Sequence, residues 1–324
     1  MVTMKSKAIL ITGCDSGFGY SLVSHMSDNH QEFLTLACCY DSNSQGAKDL
    51  EQKKNVKVLT VDVTQQESIE KLLKEVEVIM KVEKLQLWAV VNNAATLVFA
   101  DSIFQTEYKS VSQIMISVPF LIGNISIFSD MVVNQVAVNF IGCWRMSKYF
   151  APHLIVSKGR LVNVVSFCTE CPLPTLSVYT ATKAALMSLT NGMRMELAKY
   201  DVDVVLFNPG DHPGETPLCF GQKDNYDAME AEVQNRFSSS GNKIMEHFQA
   251  YRAKFETTFP GRPALEPLKS PGLYANFDRI LLEEKPLTFY VNSPWKTRLY
   301  FGFLKALPVR WSDKLRLALM RLPK

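Results

Sequence analysis

The sequence has little of what marks a secreted, metal-binding or nucleic-acid-binding protein. Its seven cysteines (14, 38, 39, 143, 168, 171 and 219) are odd in number and scattered through 324 residues. They do not read as a disulfide framework, which argues for a reducing compartment. Cys168 and Cys171 form one CxxC, but no second pair and no histidine pair completes four zinc ligands, so no metal is expected. A redox pair is the remaining reading of that motif. Charge is modest: 21% of residues are charged and the formal net charge is +3. Nucleic acid is therefore not an expected partner, because it demands a clustered basic face. The opening MVTMKSK runs straight into an apolar strand at Ala8, leaving no room for a leader or an N-terminal span. A cytoplasmic location is the expectation.

What is present is an ordinary globular composition, 47% hydrophobic, able to bury a sizeable core. Short apolar runs at 7–13, 33–40, 56–64, 87–95, 159–167 and 202–210 read as buried strands. Between them lie stretches with helical spacing at 18–28, 68–83, 131–157 and 179–200. Alternating strands and helices with near-continuous apolar strands predict a doubly wound α/β fold around a parallel sheet. Ligands in such sheets bind at the carboxyl ends of the strands. Gly13, Asp62, Asn92, Ser166 and Pro209-Gly210 all follow strands, so the polar candidates gather at one end of the sheet.

The segment YTATK sets Tyr179 and Lys183 one helical turn apart, on the same face. Such a pair is common on solvated helices. Its chemical reading is that a fixed positive charge lowers the pKa of a phenol, letting it exchange a proton near neutral pH. The segment TGCDSGFG (12–19) joins the first strand to the first helix with Gly13, Gly17 and Gly19. Glycine permits a positive φ and a close backbone approach, and the helix N-terminus behind it offers N–H groups to a pyrophosphate. The spacing is GxxxGxG, not the commoner GxGxxG.

Together these motifs resemble the short-chain dehydrogenase/reductase family. TGxxxGxG follows the first strand, Asp62 the third, NNA the fourth and a serine the fifth, and YxxxK opens a helix. The resemblance spans about residues 5–217. Its glycine segment is similar to the branch of retinol, 17β-hydroxysteroid and 3-hydroxybutyrate dehydrogenases. The resemblance implies a Rossmann-like sheet, with Tyr179 as general acid/base and Lys183 lowering its pKa while holding the nicotinamide ribose. It implies that Ser166 hydrogen-bonds the substrate oxygen and that Asn139 supports a water chain to Lys183. The implied cofactor cleft takes in Gly13, Ser16, Gly17, Phe18, Gly19, Asp41, Asp62, Val63, Asn92, Ala94, Pro209, Gly210 and Thr216. One departure is Ala95, where the family usually has glycine. Asp41 after the second strand and Asp15 in the glycine loop would repel a 2′-phosphate, which favours NAD over NADP.

The chain is expected to form a single domain over 1–324, with a cofactor-binding and catalytic core at 5–217. Residues 218–324 are expected to form a substrate-covering region and helical C-terminal extension. The terminal segment 293–324 is basic, with aromatic and leucine residues interleaved. It suits either a peripheral membrane contact or a cover over the substrate pocket or a homo-oligomer partner. An apolar cover favours a lipid-like alcohol or ketone, such as a steroid or retinoid. The longer interval from Pro209 to Thr216 favours a 3-hydroxy acid instead. A nucleotide-binding regulator without catalysis is the alternative from another class.

The stretch between Asn92 and Asn139 is roughly twenty residues longer than in family members, unusual for a compact domain. Residues 110–129 within it carry no charge. Three readings stand: a membrane span, a hydrophobic lid or partner-binding hairpin, and a retained short intron. Pro119, Asn124 and the serines disfavour a span, which would also split one sheet. The last reading best explains why an otherwise ordinary family pattern is interrupted.

Overall fold

The computed structural model describes residues 7–105, 131–169, 171–210, 212, 214–220, 222–237, 242–259 and 264–320. The segment 110–129 lies outside the described residues.

Seven strands form one sheet: β1 (Lys7–Thr12), β2 (Phe33–Cys39), β3 (Val56–Thr60), β4 (Gln86–Asn92), β5 (Arg160–Val164), β6 (Asp203–Asn208) and β7 (Phe289–Val291). Their order is β3-β2-β1-β4-β5-β6-β7, and every pairing is parallel. The two faces of each strand explain the continuous apolar runs. Ile9 and Ile11 on β1, with Ala37, Val91, Val162 and Val205, pack on one face against α1 (Gly17–Asn29) and α9 (Pro271–Leu282) through Val23, Met26, Leu273 and Phe277. Ala8 and Leu10, with Leu36, Val90, Leu161 and Val204, pack on the other face against α3 (Gln66–Glu83) and α5 (Cys143–Ser157) through Leu72, Val76, Phe150 and Leu154. Successive side chains point to opposite faces, so both faces must be apolar when both are covered.

The structure adds elements to the sequence reading. Helix α2 (Gln45–Glu51) starts at Ser44, whose hydroxyl accepts the Ala47 N–H at 3.2 Å. The helix expected over 131–157 is α4 (Met131–Val136) and α5, joined by a π-helical turn at Ala137–Gly142. Helix α6 (Ser177–Leu197) carries the YTATK segment. The C-terminal region holds helices α7 (Lys223–Phe237), α8 (Asn242–Thr258), α10 (Trp295–Ala306) and α11 (Val309–Met320). It is not wholly helical, since it also supplies the edge strand β7. Three residues are too few for a legible period, and β7 forms because Leu206, Phe207 and Asn208 present an open edge to pair with.

The C-terminal region is fastened to the sheet by Arg160, which is buried at the start of β5. Its guanidinium donates to the carbonyls of Ile280 and Glu283 at the end of α9 and lies over the Trp88 ring. Cys168 and Cys171 are buried thiols shortly after β5, in no disulfide.

Candidate active site

The strand order reverses between β1 and β4, and a crevice opens there at the carboxyl ends. It is a cavity of about 1830 Å³, large enough for a dinucleotide and a substrate together.

At one end lies the glycine turn. Gly13 and Gly17 have φ of +71° and +58°, the left-handed region where a side chain is strained. Gly19 is needed for space: a Cβ there would sit 2.1 Å from the Gly13 carbonyl oxygen. Helix α1 begins at Gly17 with no side-chain cap and no acid in its first turn. Its first N–H groups are therefore available to an anion, as a pyrophosphate site requires. The turn is held by Asn93, whose amide donates to the carbonyls of Thr12 (2.9 Å) and Gly13 (3.1 Å).

The expected cofactor residues fall into two groups. Gly13, Ser16, Gly17, Phe18, Asp62, Val63, Ala94, Pro209, Gly210 and Thr216 line the cavity. Gly19 lies just behind it as packing for the turn. Asn92 does not line it: the side chain is buried at the end of β4, donating to Asn163 Oδ1 (2.7 Å), Ser147 Oγ (3.0 Å) and the Cys143 carbonyl (3.2 Å). Its neighbour Asn93 faces the cavity instead, because consecutive residues at a strand end point opposite ways. Asp41 is exposed and accepts the Asn43 N–H at 2.8 Å, outside the cavity lining. The acids at that end are Asp15 and Asp62. Asp15 accepts the backbone N–H groups of Tyr40 (2.9 Å) and Asp41 (3.0 Å), so its carboxylate is fixed at the end of β2. Ala95 also lines the cavity and has no positive φ, so the backbone there does not require glycine.

Two residues had no signal in the sequence. Asn292, just after β7, donates to the Pro209 carbonyl at 2.8 Å, and its own carbonyl would lie 2.2 Å from a Cβ on Gly210. That packing holds the Pro209-Gly210 turn. His212 lines the cavity, edge-on to Phe18 with ring centroids 5.6 Å apart.

At the centre are Tyr179, Lys183 and Ser166, all lining the cavity. Tyr179 and Lys183 are buried on one face of α6. Burial pushes the Tyr179 phenol well above its ordinary pKa, the Cys168 and Cys219 thiols add to this, and a hydrogen bond with Ser166 opposes it. This differs from the expected lowering by Lys183. The Lys183 ammonium lies 5.9 Å from the tyrosine ring centre and donates to the Val164 carbonyl at 2.9 Å. Burial disfavours its charge too, which lowers its pKa. Burial is thus the largest cause of the shift at both groups.

Asn139 sits in the π-helical turn and is fully buried. It accepts the Thr96 N–H (2.8 Å), and donates to the Thr96 carbonyl (2.8 Å) and to Thr182 Oγ1 (3.1 Å). Its side chain is satisfied by protein groups and lies outside the cavity lining. It ties the loop after β4 to α6, the helix that carries Tyr179.

Beyond Tyr179 the cavity has an aromatic and leucine wall, and Gln222, Asp224, Asn225 and Lys254 also belong to its lining. Phe99 stacks on Phe255 and Phe259 at centroid separations of 4.9 and 5.7 Å, and Phe220 meets Phe259 edge-on at 5.3 Å. Leu97, Leu173, Leu176 and Leu218 complete this wall.

A doubly wound sheet, a glycine turn at its switch point and a buried Tyr–Lys–Ser group beside it define an oxidoreductase that interconverts an alcohol and a carbonyl. A family profile described as short chain dehydrogenase matches residues 7–217. The chain belongs to that family, whose members in general use a nicotinamide cofactor. It is 31% identical over 322 residues to estradiol 17-beta-dehydrogenase 2 of Rattus norvegicus, covering 97% of this chain and 74% of that protein. It is 32% identical over 223 residues to the mitochondrial D-beta-hydroxybutyrate dehydrogenase of Bos taurus, covering 67% of this chain and 57% of that one. The mouse and human relatives of the first type are matched over 56% and 54% of their lengths, so the chain spans little more than half of several relatives. A short-chain dehydrogenase from Streptomyces avermitilis shares the fold, with a TM-score of 0.51 and 21% identity over 64% of this chain and 67% of that one.

Proposed function

We propose that this chain is an NAD(H)-dependent oxidoreductase acting on a lipid-like secondary or primary alcohol, or the matching carbonyl, of steroid or retinoid type. The observation that carries the substrate class is the aromatic and leucine wall running away from Tyr179. In this reading Tyr179 exchanges the proton with the substrate oxygen and Ser166 holds that oxygen. Lys183 holds the ribose beside them, and Asn139 positions α6 and the loop after β4. A nicotinamide dinucleotide, when bound, supplies the hydride donor or acceptor. The chain works as one domain, with 5–217 as its catalytic core and 218–324 covering the substrate, in a homo-oligomer.

NAD is favoured over NADP because Asp15 and Asp62 line the adenosine end and no lysine or arginine does, among the described residues. Thermal unfolding of the full chain tests this. NAD at about 100 times its dissociation constant stabilises the fold by roughly 2.7 kcal/mol, and NADP at the same concentration by much less. An equal shift with NADP overturns the assignment. The second reading, a 3-hydroxy acid dehydrogenase, rests on the seven-residue interval from Pro209 to Thr216, both of which line the cavity. A panel of steroid, retinoid and short 3-hydroxy acid substrates separates the two, and the absence of turnover on all three favours a silent nucleotide-binding regulator.

We also place a lipid surface on the C-terminal helices. No helix among the described residues is long and apolar enough to cross a membrane. Trp295, Leu299 and Phe303 form an outward stripe along α10 at four-residue spacing, exposed by 66, 63 and 55%. Trp311 on α11 is exposed by 65%, and Lys296, Arg298, Lys305, Arg310 and Lys314 flank these residues. Aromatic residues with basic neighbours suit the headgroup region of an anionic bilayer. Phe301, on the inner side of α10, stacks at 5.2 Å on Phe167 of the cavity wall, so the lipid surface would lie beside the substrate end. The full chain should co-sediment with phosphatidylserine vesicles, less so in high salt, and a Trp295→Ser/Trp311→Ser variant should lose at least tenfold in affinity. Equal sedimentation of variant and parent removes these helices as the contact.

A further inference from the structure

The end of α1 remote from the glycine turn carries a second cluster of chemistry-bearing side chains. His25 lies in the last part of α1, His30 at its C-cap, and Asp278 on α9. His25 Nε2 is 2.7 Å from Asp278 Oδ1, and His30 Nε2 is 2.9 Å from the same oxygen. The two histidine side chains are 13 and 15% exposed, and the carboxylate 30%. All three ligand atoms lie within 4.8 Å of one another. Tyr274 stacks on the His25 ring at 4.6 Å and fixes its plane.

Asp278 Oδ1 is shared by both imidazoles, and the other nitrogen of each ring has a polar neighbour. One carboxylate oxygen accepts from both rings only if each carries hydrogen on Nε2. His25 meets that demand, because Asn29 Nδ2 approaches its Nδ1 at 3.2 Å as a donor. His30 turns its Nδ1 toward the exposed Glu32 carboxylate, 3.5 Å away. Both Nε2 atoms thus converge on one carboxylate oxygen, with a second carboxylate behind His30.

We propose that His25, His30 and Asp278 bind a zinc ion that staples α1 to α9. Two imidazoles and one carboxylate suit zinc, with the fourth position left to water. Zinc takes the Nε2 lone pair of His30 and leaves hydrogen on Nδ1 to face Glu32, the outer carboxylate partner that metal-bound histidines favour. On His25 it places hydrogen on Nδ1, and the exposed Asn29 turns its amide away. Zinc bonds of about 2.0–2.1 Å space tetrahedral ligands roughly 3.3 Å apart, so each imidazole withdraws from the carboxylate by about half an ångström. The ligands come from elements about 250 positions apart in sequence, so they meet only in the folded chain and the ion favours that state. The staple also bears on the active site. Helix α1 opens at the glycine turn, and α9 is followed by β7 and Asn292, which holds the Pro209-Gly210 turn.

The test is zinc chloride added to the metal-free full chain at pH 7.5. Dialysis with metal analysis should give one zinc per chain, and the unfolding temperature should rise with zinc but not with magnesium. A His25→Gln/His30→Gln variant and, separately, Asp278→Asn should each bind at least tenfold more weakly. Circular dichroism, together with a single cooperative unfolding transition, establishes that each variant is folded. Zinc bound equally by the folded variants assigns it elsewhere, for instance to the cysteines, and overturns the proposal. A wild-type chain that takes up no zinc also overturns it and leaves a hydrogen-bonded clamp between the two helices.

Discussion

Tyr179→Phe should lower kcat by about 10²- to 10⁴-fold while leaving the NAD-induced shift in unfolding temperature unchanged. The substitution removes one hydroxyl from a buried, cavity-lining position and keeps the ring that packs there. It deletes the hydrogen bond with Ser166 and the only acidic hydrogen on that side chain. Lys183 retains its bond to the Val164 carbonyl, so the ribose end of the cavity is undisturbed. Steady-state turnover on the best substrate of the panel, beside a cofactor titration, separates the outcomes. Turnover within tenfold of the parent would remove Tyr179 as the acid/base group and move attention to Ser166. Loss of both turnover and the NAD shift would mean that the hydroxyl organises the cleft rather than the chemistry.

Gly19→Ala should abolish the NAD-induced stabilisation and lower the stability of the chain by about 1–3 kcal/mol, the usual range for forcing a methyl into a packed site. The added Cβ would meet the Gly13 carbonyl oxygen at 2.1 Å, its carbon at 2.8 Å and the Asn93 amide nitrogen at 2.8 Å. None of these is the free end of a flexible side chain. Gly13 is backbone, and Asn93 is held by its bonds to Thr12 and Gly13. The turn must open to admit the methyl, and opening it displaces the N-terminus of α1. Gly192→Ala serves as the control: it lies inside α6 with nothing within 4 Å of the new Cβ. There alanine should stabilise by about 0.5–1 kcal/mol through helix propensity. Urea unfolding with and without NAD reads both effects. A Gly19→Ala chain that keeps the full NAD shift would show that the turn tolerates a side chain and that the pyrophosphate does not depend on it.

Most of the sheet was legible in the sequence. Six of its seven strands stand out as short, largely apolar runs; the five inner ones are buried between two helical layers, while β3 at the edge is only partly buried. The glycine turn was legible as well, since positive φ and close backbone approach leave a local mark. The YxxxK helix was legible because helical spacing brings residues four apart onto one face. β7 was not, because its three residues form a strand only against the open edge of β6.

What the tertiary structure decided is which neighbours face the cleft and which groups meet across the chain. The NNA segment offers two asparagines, and only the end of β4 determines that Asn92 turns into the core while Asn93 turns to the cavity. Two acids stood near the second strand, and folding fixes Asp15 at the strand end while leaving Asp41 in solvent. The pKa of Tyr179 followed burial rather than its lysine neighbour, and burial belongs to the fold, not to four residues of helix. Asn292 reaches Pro209, and Asp278 reaches His25 and His30, over separations that leave no periodic trace. The sequence by itself determined the elements whose cause is local: apolar runs, helical spacing and glycine conformations. The partners of buried polar groups came only with the tertiary structure, because a side chain's desolvation and hydrogen bonds are set by whichever segments pack against it.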